Sequence, residues 1–178
     1  TDPFCTGNPG LNLFSVNQNF PTPPFSNYNL QVEKGFSKAG VLQVGYVGSQ
    51  GRKLNVVTNI NQDNSFPNFG SIIQLNSVGT SNYNSLQSSF RVRSWHGLTS
   101  TIAYTWSHTL DEISEYRAVL ADDANNIKLD YGNGDYDTRH LFTVGFTYDV
   151  PGYSRGPKLL THGWHFSSLM NWHTGQPY

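Results

Sequence analysis

Apolar and polar side chains alternate with a period of two in six stretches of the chain, the pattern of strands with one apolar face. Tyr28, Leu30, Val32 and Phe36 share a face, interrupted by Lys34, while Asn29, Gln31 and Glu33 share the other. Leu42, Val44 and Tyr46 alternate with Val41, Gln43, Gly45 and Val47, and Leu86, Phe90 and Val92 oppose Gln87, Ser89, Arg91 and Arg93. Leu98, Ile102, Tyr104 and Trp106 oppose Thr99, Thr101, Ala103, Thr105 and Ser107. His140, Phe142, Val144, Phe146 and Tyr148 stand against Arg139, Thr143, Gly145, Thr147 and Asp149. Trp164, Phe166, Met170 and Trp172 stand against His165, Ser167, Asn171 and His173. The pattern predicts strands near 27–37, 40–49, 83–94, 98–108, 138–150 and 163–173. At roughly nine to eleven residues each, they exceed the usual globular length of about five to six and suit a tilted strand crossing a bilayer.

The links alternate in length. Ser37-Lys38-Ala39-Gly40 and Trp95-His96-Gly97 are short, and 151–162 is a moderate turn rich in Gly and Pro. Between these pairs lie two long polar excursions, 49–82 and 109–137. Outer-membrane barrels keep short turns on the periplasmic side and long loops outside, whereas a soluble sandwich has no reason to gather its long loops at one end. Phe36, Trp95, Tyr148 and Trp164 sit beside the short turns, and Tyr28, Tyr46, Tyr104, Trp106 and Trp172 near the long loops, as two interfacial belts would. The expected fold class is all-β, an antiparallel up-and-down meander of about six strands that crosses a membrane. A helical turn is expected within the second long loop, at 112–120, with Ile113, Tyr116 and Leu120 on one side.

Composition narrows the classes. Hydrophobic residues are 37%, aromatics 14% and charged residues only 13% of the 178-residue chain, and 18 Asn, 18 Ser, 17 Gly and 14 Thr supply uncharged polarity. That mixture excludes a coiled coil and a charged disordered tail. A net charge of −1 argues against nucleic acid as a partner. No apolar run approaches about 18 residues, so no membrane helix is expected, which leaves spanning strands open. Cys5 is the only cysteine, so the chain has no internal disulfide and no Cys-based zinc site. No Asn-x-Ser/Thr acceptor occurs, which argues against a eukaryotic secreted glycoprotein. The start at Thr1, without initiator Met or signal peptide, reads as a processed chain or a piece of a longer one.

Several blocks carry a resemblance. Tyr46-Val47-Gly48-Ser49-Gln50-Gly51-Arg52-Lys53-Leu54 is followed by Ser81-Asn82-Tyr83-Asn84-Ser85-Leu86-Gln87 and Tyr104-Thr105-Trp106-Ser107-His108-Thr109-Leu110-Asp111-Glu112. Asp130-Tyr131-Gly132, Asp135-Tyr136-Asp137-Thr138-Arg139-His140, Gly163-Trp164 and Thr174-Gly175-Gln176-Pro177-Tyr178 complete the series. In this order they resemble the barrel of TonB-dependent outer-membrane receptors, in the Oar-like subgroup that carries a carboxypeptidase-regulatory-like domain. The resemblance implies a slice from the interior of a 22-stranded wall in the bacterial outer membrane. Implied partners are membrane lipid, the rest of the barrel and its plug, TonB through a segment outside this chain, and an imported ligand. Nothing in the sequence resembles the plug, the TonB-engaging segment or the closing strand. Residues 1–25, with Pro3, Pro9, Pro21, Pro23 and Pro24, read as a preceding external loop, and 26–178 as the barrel segment.

Candidate chemistry is sparse. Asp122, Asp123, Asp130, Asp135 and Asp137 form an acidic loop without the Asp-x-Asp-x-Asp-Gly pattern of a calcium loop, and are expected to be solvated. His162 and His165 fall on opposite strand faces, and His165 and His173 lie about 26 Å apart along a strand. His108 with Asp111 and Glu112 is the one group that could serve acid–base or zinc chemistry, and no HExxH accompanies it. No catalytic motif, metal site or cofactor is expected. The favoured reading is a receptor that binds and imports a bulky ligand, with Gln87, Arg91, Arg93, Asp137 and Arg139 as lumen or ligand candidates and Arg139 placed there by the resemblance. The alternatives are a soluble β-sandwich that stacks glycans on Trp95, Trp106, Trp164 and Trp172, and a hydrolase built on His108, Asp111 and Glu112. If isolated, the chain is expected to self-associate through its open strand edges.

Overall fold

The computed structural model describes residues 10–36, 40–115, 120–152, 157 and 162–177. Cys5, Pro3, Pro9, the Ser37-Lys38-Ala39 turn, Tyr116, most of the 151–162 link and Tyr178 lie outside the described residues. The strands are β1 (Leu11–Val16), β2 (Phe25–Phe36), β3 (Gly40–Asn59), β4 (Phe69–Trp95), β5 (Leu98–Asp111), β6 (Gly132–Asn133), β7 (His140–Asp149) and β8 (His165–His173). All join one sheet whose main path runs β2-β3-β4-β5-β7-β8, each step antiparallel. β1 and β6 pair off this path with β4 and β5. The expected all-β meander is therefore what the chain forms.

The register keeps the faces in phase across the sheet. Val32, Val44, Ser88, Tyr104, Phe142 and Trp172 lie in one row, and the next row is Lys34, Leu42, Phe90, Ile102, Val144 and Met170. Directly opposite residues project to the same side of a sheet, so these rows make one largely apolar face, interrupted by Ser88 and Lys34. The intervening rows, such as Glu33-Gln43-Ser89-Ala103-Thr143-Asn171, make a polar face. A slip of one residue at any pairing would mix the two.

The β4–β5 turn shows how local chemistry pins that register. His96 (φ 48°) and Gly97 (φ 86°) connect the paired Trp95 and Leu98, the left-handed pair that a two-residue hairpin requires.

The structure departs from the expected boundaries at the long-loop end. β3 and β4 run on well past 49 and 83, so most of the first excursion is a hairpin that projects from the sheet. Its alternation is masked because both faces are mixed: Val56 pairs with Asn76 and Thr58 with Gln74, while Asn55 pairs with Ser77 and Val57 with Leu75. The segment expected as a leading loop contains β1, which lies parallel to β4 from Phe69 to Leu75, beyond the last β4–β5 pair, Ser81–Asp111. Residues 112–115 form bends rather than helix, and the rest of the expected turn at 116–119 lies outside the described residues. The one helical turn among the described residues is 3₁₀, at Ile127–Asp130. β7 and β8 each begin two residues later than expected.

Little of the apolar surface is covered by protein. Among the described residues the buried hydrophobic ones are Val56, Ile72 and Ala121, all in the two long excursions, while Leu30, Val32, Trp95, Phe166, Leu169 and Trp172 are more than half exposed. The accessible surface is 12922 Å², against about 8,700 Å² for a compact monomer of this mass. No second sheet covers the apolar face among the described residues, so the sandwich alternative does not describe this chain.

Candidate functional site

The apolar face is bounded by two aromatic belts. At the long-loop end Tyr28 and Tyr46 have ring centroids 6.1 Å apart, Tyr104 stacks on His140 with its hydroxyl 2.8 Å from Nδ1, and Phe142 stacks on Trp172 at 5.6 Å. At the short-turn end Phe36, Trp95 and Trp164 are exposed. Between the belts lie Val32, Leu42, Phe90, Ile102, Val144 and Met170, an apolar band for which water is a poor neighbour and acyl chains a good one. Residues 3–178 match the outer membrane beta barrel domain family.

The chain belongs to that family.

No curated protein and no solved structure matches it. The outer membrane beta barrel domain places the chain in the bacterial outer membrane and belongs to a generally non-enzymatic family. In this domain the apolar face meets lipid, the polar face is the inner one, and the long loops are external.

Above the outer belt the two long excursions meet. Glu112, 8% exposed, accepts hydrogen bonds from the backbone N–H and the hydroxyl of Thr80 on the β3–β4 hairpin. Ala121 donates its N–H to the Val57 carbonyl, and the Gln62 side-chain amide bridges the Asp122 carbonyl and the Ala124 N–H. Within the hairpin Asn61 holds its turn together, accepting from the Phe66 N–H and donating to the carbonyls of Phe66, Phe69 and Gly70. A relay from Asn17 to Asn76 to Thr58 ties the end of β1 to both hairpin strands. Polar side chains, beside the few buried apolar ones, thus hold this external part together.

A cavity of about 270 Å³ opens beside this junction, ringed by Asp111, Glu112, Glu115, Asp122, Asp130 and Asp135. Burial, together with the neighbouring charges of Asp135 and Glu112, raises the Asp111 carboxyl above its ordinary range, against the lowering effect of the Ser114 hydroxyl. Tyr136 is raised by its hydrogen bond to Glu115. Among the described residues no three His, Cys, Asp or Glu are arranged to hold a metal ion.

The candidate residues separate into three places. Asp137 and Arg139 come together at the outer end: Arg139 Nη2 lies 2.9 Å from Asp137 Oδ2, and Asp137 also accepts from the Thr109 N–H. Asp137 is 3% exposed, so it is not the solvated carboxylate that its loop composition implied. Gln87 lies mid-sheet on the inner face, in a shallow cleft with Gln31, Gln43 and Thr105 over Gly45. Arg91 and Arg93 line a cavity at the short-turn end. His108, Asp111 and Glu112 do not form a relay: His108 Nε2 is 2.9 Å from Asn133 Oδ1, Asp111 holds Ser114, and Glu112 holds Thr80. His162 precedes β8 rather than lying on it, and His165 pairs with Asp149. The contacts of Thr80, Gln62 and Asn61 were not foreseen; only the polar hairpin turn hinted at Asn61.

Proposed function

We propose that this chain is part of the wall of a TonB-dependent receptor that binds and imports a bulky ligand across the outer membrane. The observation that carries the reading is the external junction, where both long loops are fastened to one another beside a polar cavity open to a ligand. Recognition on loops held by a rigid scaffold is the usual arrangement. The order of sequence blocks resembling the Oar-like receptors supports the finer assignment. The path would then pass the inner-face residues Gln87, Arg91, Arg93 and Arg139. The β2 and β8 edges would continue into the rest of the barrel, which surrounds a plug and engages TonB through a segment elsewhere, since the main path has six strands and about eight are needed to close. Its work would be binding and gating rather than catalysis.

The test is photo-crosslinking of the full-length receptor to TonB in living cells. An energy-dependent crosslink, lost on adding a protonophore, is expected. Its absence under both conditions would leave a barrel of the same family with another task.

A further inference from the structure

Arg91 and Arg93 occupy alternate positions near the short-turn end of β4, and both are exposed. Among the described residues neither makes an ion pair or a side-chain hydrogen bond, in contrast to Arg139 with Asp137. They share a cavity of about 430 Å³ with Gly40, Trp95 and His96. Its backbone wall is close: a Cβ on Gly40 (φ 147°) would sit 2.3 Å from the Arg91 carbonyl oxygen. On the other side β4 is irregular between Val92 and Trp95, with Ser94 at φ 51°, and the Trp95 and His96 rings meet edge to face at 5.2 Å. The nearby acids offer no counter-charge. Asp149 pairs with His165, and Glu33 lies two strands away in the row of Gln43 and Ser89.

We propose that Arg91 and Arg93 bind a phosphate group at the periplasmic mouth of the barrel, with Trp95 and His96 against its organic substituent. Guanidinium forks match phosphate oxygens in bidentate geometry. A phosphate monoester carries about −1.5 to −2 charges at neutral pH, enough to balance both arginines; the phosphodiester of a lipid headgroup carries one, as a carboxylate does, and offers two free oxygens to the guanidinium forks. The phosphate is carried by a soluble ester or by a phospholipid headgroup, since the cavity lies at the irregular end of β4, where Arg91 of the polar face and Trp95 of the short-turn belt come together. The site is independent of which ligand is imported and of TonB.

The test uses the protein in detergent micelles. Phenyl phosphate and inorganic phosphate are titrated calorimetrically, and retained phosphatidylglycerol is measured by native mass spectrometry. Binding should weaken with salt and fall about tenfold or more in R91Q or R93Q. Arg91→Lys, which keeps the charge and the strand, should show a smaller loss with unchanged circular dichroism. Phenyl phosphate binding that depends on both arginines assigns a soluble ester. Retention of phosphatidylglycerol alone, lost in the same variants, assigns the lipid. Failure of every phosphate probe, or equal binding by the glutamine variants, overturns the proposal.

Discussion

The Glu112 carboxylate caps both the N–H and the hydroxyl of Thr80, joining the loop that follows β5 to the hairpin that precedes it in the chain. The partners are 32 residues apart in sequence, and Glu112 is almost fully buried. Glu112→Ala should leave the Thr80 N–H without a partner and cost about 1–3 kcal/mol locally. Limited proteolysis of the folded protein should show faster cleavage in 112–131, with the membrane strands intact. Unchanged cleavage would mean that this contact does not hold the loops together.

Gly48 and Tyr28 make a second tight relationship. They pair directly, and a Cβ on Gly48 would fall 2.2 Å from the Tyr28 ring. Gly48→Val should therefore displace the tyrosine from the outer belt and from beside Tyr46. The expected outcome is a lower urea midpoint in lipid vesicles, smaller in a Tyr28→Ala background where the ring is already gone.

The two faces of β7 differ in what they tolerate. Phe142→Arg or Phe146→Arg puts a charge against lipid, at a cost that reaches about 2–4 kcal/mol at the midplane and falls toward the belts, whereas Thr143→Arg or Thr147→Arg adds one to the polar face. Heat-modifiable gel mobility should report lost folding in the first pair and near-normal folding in the second.

The acidic cavity gives a pH dependence with a definite sign. Asp111 has a raised carboxyl, so the folded state holds its proton more tightly than the unfolded chain. Its stabilising contribution is full below the ordinary aspartate value of 3.8 and is lost as pH rises from there through the raised value. Asp63, lowered by the Ser65 hydroxyl, acts oppositely: its contribution is present above 3.8 and lost as pH falls through the lowered value. Protease resistance of 111–135 should therefore improve on mild acidification, and Asp111→Asn should reproduce the improvement at neutral pH. No gain from the substitution would remove Asp111 from this account.

The membrane-facing part of the fold was legible because one partner, lipid, imposes a strict period of two on Phe142, Val144 and Phe146. Beyond the belt that pressure ends. In the hairpin, polar side chains occupy both faces, so Asn55 and Asn76 carry no period and the pattern there reads as loop. The short β1 finds its partner more than fifty residues away at Phe69 to Leu75, a pairing that local pattern does not announce. Asp137 and Arg139 were visible as neighbours in sequence, but the burial of Asp137 depends on Thr109 and Gly134 closing over it.

Among the described residues nothing covers the β2 and β8 edges or the apolar face. In detergent-free buffer it should sediment as an oligomer or a larger β assembly rather than as a 19.9 kDa monomer. A stable compact monomer would contradict this.

The central claim is that one face of this sheet meets lipid and the other water. Spin labels placed singly at each position of β7, in a Cys5→Ser background and in reconstituted bilayers, test it most directly. Oxygen accessibility should peak at Phe142, Val144 and Phe146, and a water-soluble relaxant should peak at Thr143, Gly145 and Thr147. Accessibility without a period of two along His140–Asp149 would contradict the membrane-wall account.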